Sequence, residues 1–139
     1  QIDAIRDMHF MLQKEVVDRM AARPGSKVYG RLSVMLQRVC RVDPLLGVPP
    51  GAFRPPPKVD SAVVRLTPRA PSERAFGNAT LVARIVKAAF GQRRKTLANA
   101  LGELADADAI RAAGIDPRTR AEQLAPDAFV RVAEAIGRV

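Results

Sequence analysis

The sequence has few of the residues that form metal and redox sites. Among its 139 residues there are one His, one Cys and no Trp. His9 and Cys40 cannot supply the four ligands of a zinc site, and a lone cysteine excludes an internal disulfide. No apolar run approaches 18 residues, which excludes a membrane-spanning helix. We therefore expect no metal, no membrane segment, no secretory signal and a reducing, cytoplasmic compartment.

Short-range catalytic patterns are also lacking. The nine glycines include no G-x-G pair, which excludes a dinucleotide fingerprint, and no phosphate-binding loop of the nucleotide hydrolases occurs. His9 lies in an apolar run, so a buried, hydrogen-bonded side chain is favoured over a general base. Cys40 follows an amphipathic helix, which favours a core thiol over a nucleophile. We expect no complete active site within this chain.

Charge is unevenly distributed along the sequence. Lys and Arg total 23 against 14 Asp and Glu, which gives a net charge of +9. No acidic residue occurs between Glu73 and Glu103. A basic globular chain favours a polyanionic partner, with nucleic acid first and an anionic membrane surface as the rival. A solvated basic face without any partner is also open.

The first half of the sequence predicts a mixed α/β arrangement. Apolar periodicity indicates strands at 7–13, 41–48 and 59–67 and helices at 14–22 and 28–39. The first strand is expected to be central and buried. Eight of the eleven prolines lie between Pro44 and Pro71, so residues 49–57 are expected to form a stiff loop. Because the chain starts at Gln1, just before an apolar strand, we expect it to be a fragment.

The second half of the sequence predicts only helices. Turn-forming residues at 69–79 indicate a linker, and helices are expected at 80–101, 103–113 and 127–137. We therefore divide the chain into an α/β portion at 1–68, the linker, and a small all-α domain at 80–139.

One of these predicted helices has a basic side. In a continuous helix over 80–101, a single arc of about 100° contains Arg84, Lys87, Arg94 and Lys95, and the opposite side is apolar. Arg93 falls on the apolar side, so it must pair, extend to solvent or mark an irregularity at Gly91–Gln92. The basic side is either a solvated face or a surface that contacts nucleic-acid phosphates.

Residues 53–61 have the sequence FRPPPKVDS, which resembles the F-x-P-x-P-K-V-x-S motif of the ribosomal RNA adenine N6-methyltransferases at every fixed position. Further matching segments are MLQKEV at 11–16, YGRLSV at 29–34, SAVVRL at 61–66, FGQRRKTL at 90–97 and GIDP at 114–117. The chain is similar along nearly its whole length to the bacterial small-subunit branch of this family, whose loss gives kasugamycin resistance. The segment QRRKT favours this branch over the erythromycin-resistance enzymes of the large subunit.

The resemblance implies a Rossmann-like methyltransferase domain followed by a small helical domain. It implies transfer of methyl groups from S-adenosylmethionine to N6 of two adjacent adenines near the 3′ end of small-subunit (16S) rRNA during ribosome biogenesis. The family's glycine-rich methyl-donor loop, ribose-binding acid and Asn-Leu-Pro-Tyr motif do not occur in this sequence. The resemblance therefore implies the C-terminal part of an enzyme, without cofactor-binding residues and inactive alone, whose partners are the rRNA and the small ribosomal subunit.

The resemblance also assigns roles to individual residues. Phe53 matches the motif phenylalanine and is expected to stack on the target adenine once the base has left its helix. Lys58 either contacts phosphate or supports the loop. Arg31, like Tyr29, either lies near the RNA or packs within the protein. Further rRNA contacts are expected from a basic set that consists of Arg84, Lys87, Arg93, Arg94 and Lys95.

Two other functions stay open. The basic helix also fits a non-catalytic module that binds rRNA or the ribosome, and binding of S-adenosylmethionine separates that function from the enzyme. The other is a large-subunit rRNA methyltransferase of the erythromycin-resistance type, which differs in the subunit that it modifies.

Overall fold

The computed structural model describes residues 5–70 and 78–137. The first range contains β1 (Met8–Gln13), α1 (Lys14–Met20), α2 (Arg31–Gln37), β2 (Cys40–Val48) and β3 (Ser61–Pro68). The second contains α3 (Ala79–Gly91), α4 (Leu97–Leu101), α5 (Ala107–Ala112) and α6 (Pro126–Gly137). Short 3-10 turns lie at Pro50–Ala52, Gly102–Leu104 and Ala121–Gln123. Most of the predicted linker, residues 71–77, lies outside the described residues.

The three strands form one antiparallel sheet in the order β1-β3-β2, with β3 in the middle. Alternate residues of β3, namely Ala62, Val64 and Leu66, are buried in a cluster with side chains of α1, as a period of two predicts. Pro44 is tolerated in β2 because an outer strand can dispense with one backbone donor. The prediction of a mixed α/β arrangement is therefore confirmed.

Within the described residues, the first strand is neither central nor fully buried as predicted. Within the described sheet β1 is an outer strand, and its Phe10 and Met11 side chains are 43% and 53% exposed. His9 is exposed as well, so the expected buried histidine is also wrong. An apolar run is buried throughout only when both faces of the strand are covered. Here Met8 and Leu12 pack against the core and their neighbours do not.

Buried side chains form two clusters. The smaller one, the sheet core, lies between the sheet and α1 and contains Val17 and Val64. It also contains Cys40, which is therefore a core thiol as predicted. The larger one, the helical core, joins α3, α4, α5 and α6 around Phe129. The helical core also includes Tyr29, which precedes α2, so the two halves of the chain are in direct contact.

The prediction of a single helix over 80–101 is wrong. α3 ends at Gly91, a turn follows, and α4 begins at Leu97. The hydroxyl of Thr96 caps α4 by accepting a hydrogen bond from the backbone N–H of Asn99 at 3.4 Å. Apolar periodicity continues across the turn, and therefore it does not reveal that the chain changes direction there.

The helix predicted over 103–113 is shorter than expected. A 3-10 turn comes first, and α5 begins after Asp106, whose carboxylate accepts a hydrogen bond from the N–H of Ala109 at 2.8 Å. Gly102 and Gly114, which follow α4 and α5, have positive φ values of 54° and 78°, a conformation that other residues rarely adopt. Every regular element within residues 78–137 is helical.

Candidate nucleic-acid interface

The motif residues 53–61 lie in the connection between β2 and β3. The N–H of Phe53 donates to the Pro50 carbonyl at 3.2 Å, which fixes the start of the loop. The carbonyl of Asp60 accepts a hydrogen bond from the N–H of Lys14 at 2.8 Å, which fixes its end. Phe53 is half-buried, whereas the rest of the loop as far as Asp60 is exposed. The ring therefore keeps an accessible surface while its backbone is held at both sides.

Lys58 lies on the same loop and is exposed. Its ammonium group makes no hydrogen bond or ion pair with any residue in the described ranges. A polar contact that supports the loop is therefore not seen there, and contact with phosphate stays a prediction.

Arg84 and Lys87 are exposed on α3. Their neighbours Val82, Ile85 and Val86 are buried in the helical core. These two cations therefore lie on the accessible side of α3, as the helical periodicity of the sequence predicts. Their contact with RNA stays a prediction.

Arg94 and Lys95 are exposed in the turn between α3 and α4. The N–H of Lys95 donates to the Gln92 carbonyl at 3.0 Å, which closes this turn. The predicted continuous arc from Arg84 to Lys95 is wrong, because α3 stops at Gly91 and the angular positions beyond it no longer apply. Both cations remain accessible, but they lie on the turn after α3 and not on the helix itself.

Arg93 makes several contacts within the chain. Its Nη2 donates to the Tyr29 carbonyl at 2.8 Å and to the Lys27 carbonyl at 3.5 Å, and a carboxylate oxygen of Glu122 lies 3.6 Å away. Its guanidinium also lies over the Phe90 ring, 5.8 Å from the centroid. Arg93 therefore binds groups of the chain itself, and it follows the end of α3 at Gly91. Both facts explain why the helical pattern over 80–101 places this cation on the apolar side.

A basic cleft lies between α1, α2 and the end of α3, and its volume is about 350 Å³. Its cationic lining consists of Arg19, Lys27, Arg31 and Arg93. Arg19 pairs with Glu15 at 2.9 Å, and both side chains are exposed. Lys27 and Arg31 make no side-chain hydrogen bond or ion pair with any residue in the part of the chain that the structure describes. The cleft therefore has positive charge that described acids do not neutralise.

The structure brings Arg31 and Arg93 together, whereas sequence reasoning missed Arg19 and Lys27. Arg19 is in the last turn of α1, and Lys27 follows the turn that leads towards α2. The available signal was the Pro-Gly turn at 24–25, because a short turn between two helices brings the end of the first near the start of the second. The positions of Arg19 and Lys27 in the sequence do not by themselves show that the two side chains line the same cleft.

Tyr29 packs within the protein, which confirms that alternative. Its side chain is fully buried, and its hydroxyl donates a 2.6 Å hydrogen bond to the Leu124 carbonyl. Burial raises the pKa of Tyr29 well above its ordinary value, and the negative charge of Asp127 adds to the rise. The neutral hydroxyl therefore joins the segment before α2 to the helical core.

The described residues contain neither a metal-binding cluster nor a membrane-spanning helix. Within residues 5–70 and 78–137 no group of three or more His, Cys, Asp or Glu side chains is arranged to hold a metal ion. No helix within those ranges combines the length and the apolar character needed to cross a bilayer.

Two solved structures share the fold. A dimethyladenosine transferase from Plasmodium falciparum superimposes with a TM-score of 0.85 and 22% identity, over 96% of this chain and 58% of that one. The 23S rRNA methyltransferase ErmE superimposes with a TM-score of 0.67 and 22% identity, over 96% of this chain and 55% of that one. The fold is therefore one that is found in rRNA methyltransferases.

Sequence comparison gives the family. A family model described as ribosomal RNA adenine dimethylase matches residues 1–137, and the chain belongs to this family. Proteins named ribosomal RNA small subunit methyltransferase A are 62% identical: one from Xanthomonas campestris over 130 residues and one from Xanthomonas oryzae over 129. These alignments cover 94% and 93% of this chain but 50% and 49% of the relatives. The chain thus spans about half the length of the curated relatives it matches, and the resemblance seen in the motif is confirmed.

Proposed function

We propose that this chain is part of an enzyme that dimethylates N6 of two adjacent adenines near the 3′ end of small-subunit rRNA, with S-adenosylmethionine as methyl donor. The observation that carries the proposal is the loop at 53–61, which combines the complete family motif with a half-buried Phe53 beside a sheet. The names of the Xanthomonas relatives support the small-subunit branch. The enzyme is then expected in the cytoplasm during ribosome biogenesis, and its loss is expected to give kasugamycin resistance.

The reaction requires the adenine to be held in one orientation. The N6 amine is a poor nucleophile because its lone pair is delocalised into the ring, so alignment with the methyl group supplies much of the acceleration. The base must leave its stack, and an aromatic side chain then replaces the lost stacking at about 1–3 kcal/mol. Phe53 has this role in our proposal. The prolines around it reduce the entropy that the loop loses when it becomes ordered.

In our proposal most of the exposed cations contact RNA, whereas Arg93 holds a neighbouring segment of the chain in place. Five cations are exposed, and their side chains form no hydrogen bond or ion pair within the described ranges, which suits contact with phosphates: Lys58, Arg84, Lys87, Arg94 and Lys95. Arg93 already binds two backbone carbonyls, so it acts mainly by holding the 27–29 segment in place. We assign residues 1–68 to the C-terminal part of a Rossmann-like domain and residues 80–139 to a small helical domain that binds rRNA.

Neither the basic cleft nor the cavity at the base of the motif loop suits S-adenosylmethionine. Its sulfonium and amino groups are positively charged, and the basic cleft is lined by four cations. A second cavity, beside Lys14 and Asp60 at the base of the motif loop, has a volume of about 230 Å³, which is below the roughly 300 Å³ at which ligand pockets begin. We derive no step through the cofactor, and because the family's methyl-donor motifs do not occur in this sequence we propose that the chain alone is inactive.

The non-catalytic module is the second candidate function. The observation in its favour is the unneutralised charge of the basic cleft and of the exposed side of α3, which needs no cofactor to bind RNA. A large-subunit enzyme has weaker support, because the relatives that are 62% identical are named for the small subunit.

A chimeric enzyme tests the proposal. In it, this chain replaces the matching 130 residues of the Xanthomonas campestris relative, and the gene is expressed in a strain that lacks its own small-subunit dimethyltransferase. We expect dimethyladenosine at two adjacent positions near the 3′ end of small-subunit rRNA, measured by mass spectrometry of the digested RNA. The unaltered relative serves as the positive control.

Two other outcomes would contradict the proposal. A folded chimera that binds small subunits without methylating them would favour the non-catalytic module. Methylation of large-subunit rRNA in place of small-subunit rRNA would favour the other branch of the family. Calorimetry on this chain alone provides the matching control, and we expect no heat of binding with S-adenosylmethionine.

A further inference from the structure

A further cavity, rich in arginine, lies apart from the basic cleft and from the motif loop. Its volume is about 520 Å³, within the range of roughly 300–1,000 Å³ that is usual for small-molecule sites. We call it the arginine cavity, and its charged lining consists of Arg23, Arg41, Asp43 and Arg69. Among its described lining residues, positive charges therefore exceed negative charges by two.

The arginine cavity occupies a different place in the fold from the sites described above. It is lined by Gln37 at the end of α2, whereas the basic cleft is lined by Arg31 at the start of that helix. It is also lined by Val42 and Pro44 in the first half of β2, whereas the motif loop comes after Val48, the last residue of that strand. The arginine cavity and the basic cleft share no lining residue.

We infer that the arginine cavity binds a small molecule that carries two or more adjacent phosphate groups, such as a nucleoside triphosphate or an inorganic polyphosphate. A guanidinium group is planar, always charged and able to donate two parallel hydrogen bonds to one phosphate. Several guanidinium groups around one concave space can therefore bind neighbouring phosphates of one molecule. This inference is independent of the methyltransferase activity proposed above, because it uses neither the motif loop nor the basic cleft.

Two arginines of the cavity have hydrogen-bond donors available for such a ligand. The Arg23 side chain is exposed and makes no hydrogen bond or ion pair with the described residues. Arg41 Nε donates to Asp43 Oδ2 at 3.1 Å, and its two Nη groups make no such bond within the described ranges. Arg65 Nη2 lies 3.4 Å from the same carboxylate oxygen, so two guanidinium groups share one negative charge. The described acids therefore do not neutralise the arginines around this cavity.

Hydrogen bonds within the chain hold the cavity in shape before any ligand binds. Gln37 Nε2 donates to the carbonyls of Met20 and Ala22, both at 2.8 Å, which fixes the end of α1 beside the end of α2. Arg69 Nε donates to the Gln37 carbonyl at 2.8 Å, which joins the segment after β3 to the same place. Because this part of the wall is ordered already, binding costs less conformational entropy.

A small polyphosphate suits this cavity better than a strand of RNA does. Nucleosides separate the phosphates of RNA, so one strand presents few phosphates to a compact group of cations. In a polyphosphate the phosphate groups share bridging oxygens, and they can meet several guanidinium groups at once. Val42 and Pro44 line the same cavity, and their apolar surface offers a contact for the nucleoside of a nucleotide.

Calorimetry on this chain tests the inference, with ATP, ADP, AMP and inorganic triphosphate as probes. We expect the affinity to rise with the number of phosphates and to be weakest for AMP. The midpoint of urea unfolding should rise with ATP concentration, because the ligand binds only the folded chain. Tighter binding of ATP than of triphosphate would identify a nucleotide as the ligand, and equal binding would identify an inorganic polyphosphate.

A double variant, Arg23→Ala with Arg41→Ala, removes two cations from the cavity. Hydrogen bonds to charged groups are strong, so we expect the Kd for ATP to rise about ten- to hundredfold for each arginine lost. The control is Arg111→Ala with Arg118→Ala, because both arginines are exposed, both pair with nearby acids, and the net charge changes equally. We expect the control to bind ATP as the unaltered chain does. Arg23→Lys keeps the charge without the planar pair of donors, so its loss should be intermediate.

The same titrations are made on the chimeric enzyme, with excess S-adenosylhomocysteine to keep the probes out of its methyl-donor site. Absence of saturable binding in both proteins, equal affinity for AMP and ATP, or an equal loss in the control would overturn the inference. Deproteinised small-subunit rRNA is titrated as well. A loss of rRNA affinity in the double variant with unchanged ATP binding would assign the two arginines to RNA and not to a small polyphosphate. None of these results depends on methylation, so an inactive chimera would reject the proposed enzyme and leave the result on the cavity intact.

Discussion

The sheet part and the helical part of this chain expose different chemistry. The helical part buries its apolar side chains around Phe129, and its accessible sides carry cations such as Arg84 and Lys87. The sheet part has a smaller core, and both outer strands expose apolar side chains, among them Met11 on β1 and Leu46 on β2. We therefore expect stability to be concentrated in the helical part, whereas base handling is proposed for a loop of the sheet part.

The largest expected effect is on stability, from a cavity in each core. Phe129→Ala should lower the free energy of unfolding by about 3–5 kcal/mol, because Phe129 is fully buried in the centre of the helical core. Val64→Ala in the sheet core should lower it by roughly 1.5–2.5 kcal/mol, since fewer atoms are removed. Urea denaturation of the chain measures both. A larger loss of unfolding free energy for Val64→Ala than for Phe129→Ala would show that the sheet core contributes more to stability than the helical core.

The next effect concerns catalysis by the chimeric enzyme. Phe53→Ala should lower kcat/KM for rRNA roughly ten- to hundredfold, which corresponds to about 1–3 kcal/mol of lost stacking. The free energy of unfolding should change little, because Phe53 is only half-buried. Val59→Ala on the same loop is the matched control, since Val59 is exposed and is not proposed to touch the base. Unchanged turnover in Phe53→Ala would remove the stacking role.

The periodicity of apolar residues predicted those strands and helices that are covered in the way the periodicity assumes. The alternation of Ala62, Val64 and Leu66 predicts β3, and the structure agrees because this strand has a partner on each side. The same reasoning fails for β1, where Met11 and Phe10 continue an apolar run but the described sheet has no strand beyond them. An apolar run alone does not tell how many partners a strand has.

The candidate site was only half predictable for the same reason. Phe53 came from a motif that is contiguous in sequence, and the structure adds only its exposure. The basic cleft joins Arg19, Arg31 and Arg93 from three elements, and the Arg93 bond to the Tyr29 carbonyl spans 64 residues. Helical periodicity has no information about contacts at that separation, so it placed Arg93 on a continuous helix.

Arg93 and its neighbour Arg94 sharpen the distinction between holding the fold and binding RNA. Arg93→Met should lower the free energy of unfolding by about 1 kcal/mol, because the substitution removes the donor that binds the Tyr29 carbonyl. The loss is modest because the Arg93 side chain is partly exposed. Arg94→Met should leave stability unchanged and reduce the salt slope of rRNA binding by about 0.7 to 0.9. Equal effects of the two substitutions on stability would show that Arg93 does not position the 27–29 segment.

The smallest effect at neutral pH, and the most specific, comes from Tyr29, the one tyrosine of the chain. Its pKa is raised in the folded protein by burial, so the neutral hydroxyl is favoured by folding. This contribution is complete below the unfolded-state pKa of about 10 and is lost as pH rises above it, because only the unfolded chain then releases the proton. Tyrosinate absorbance should therefore appear together with unfolding, followed by circular dichroism, and not before it. Tyr29→Phe should abolish the absorbance change, and ionisation of Tyr29 in a folded chain near pH 10 would show that the helical core does not enclose this ring.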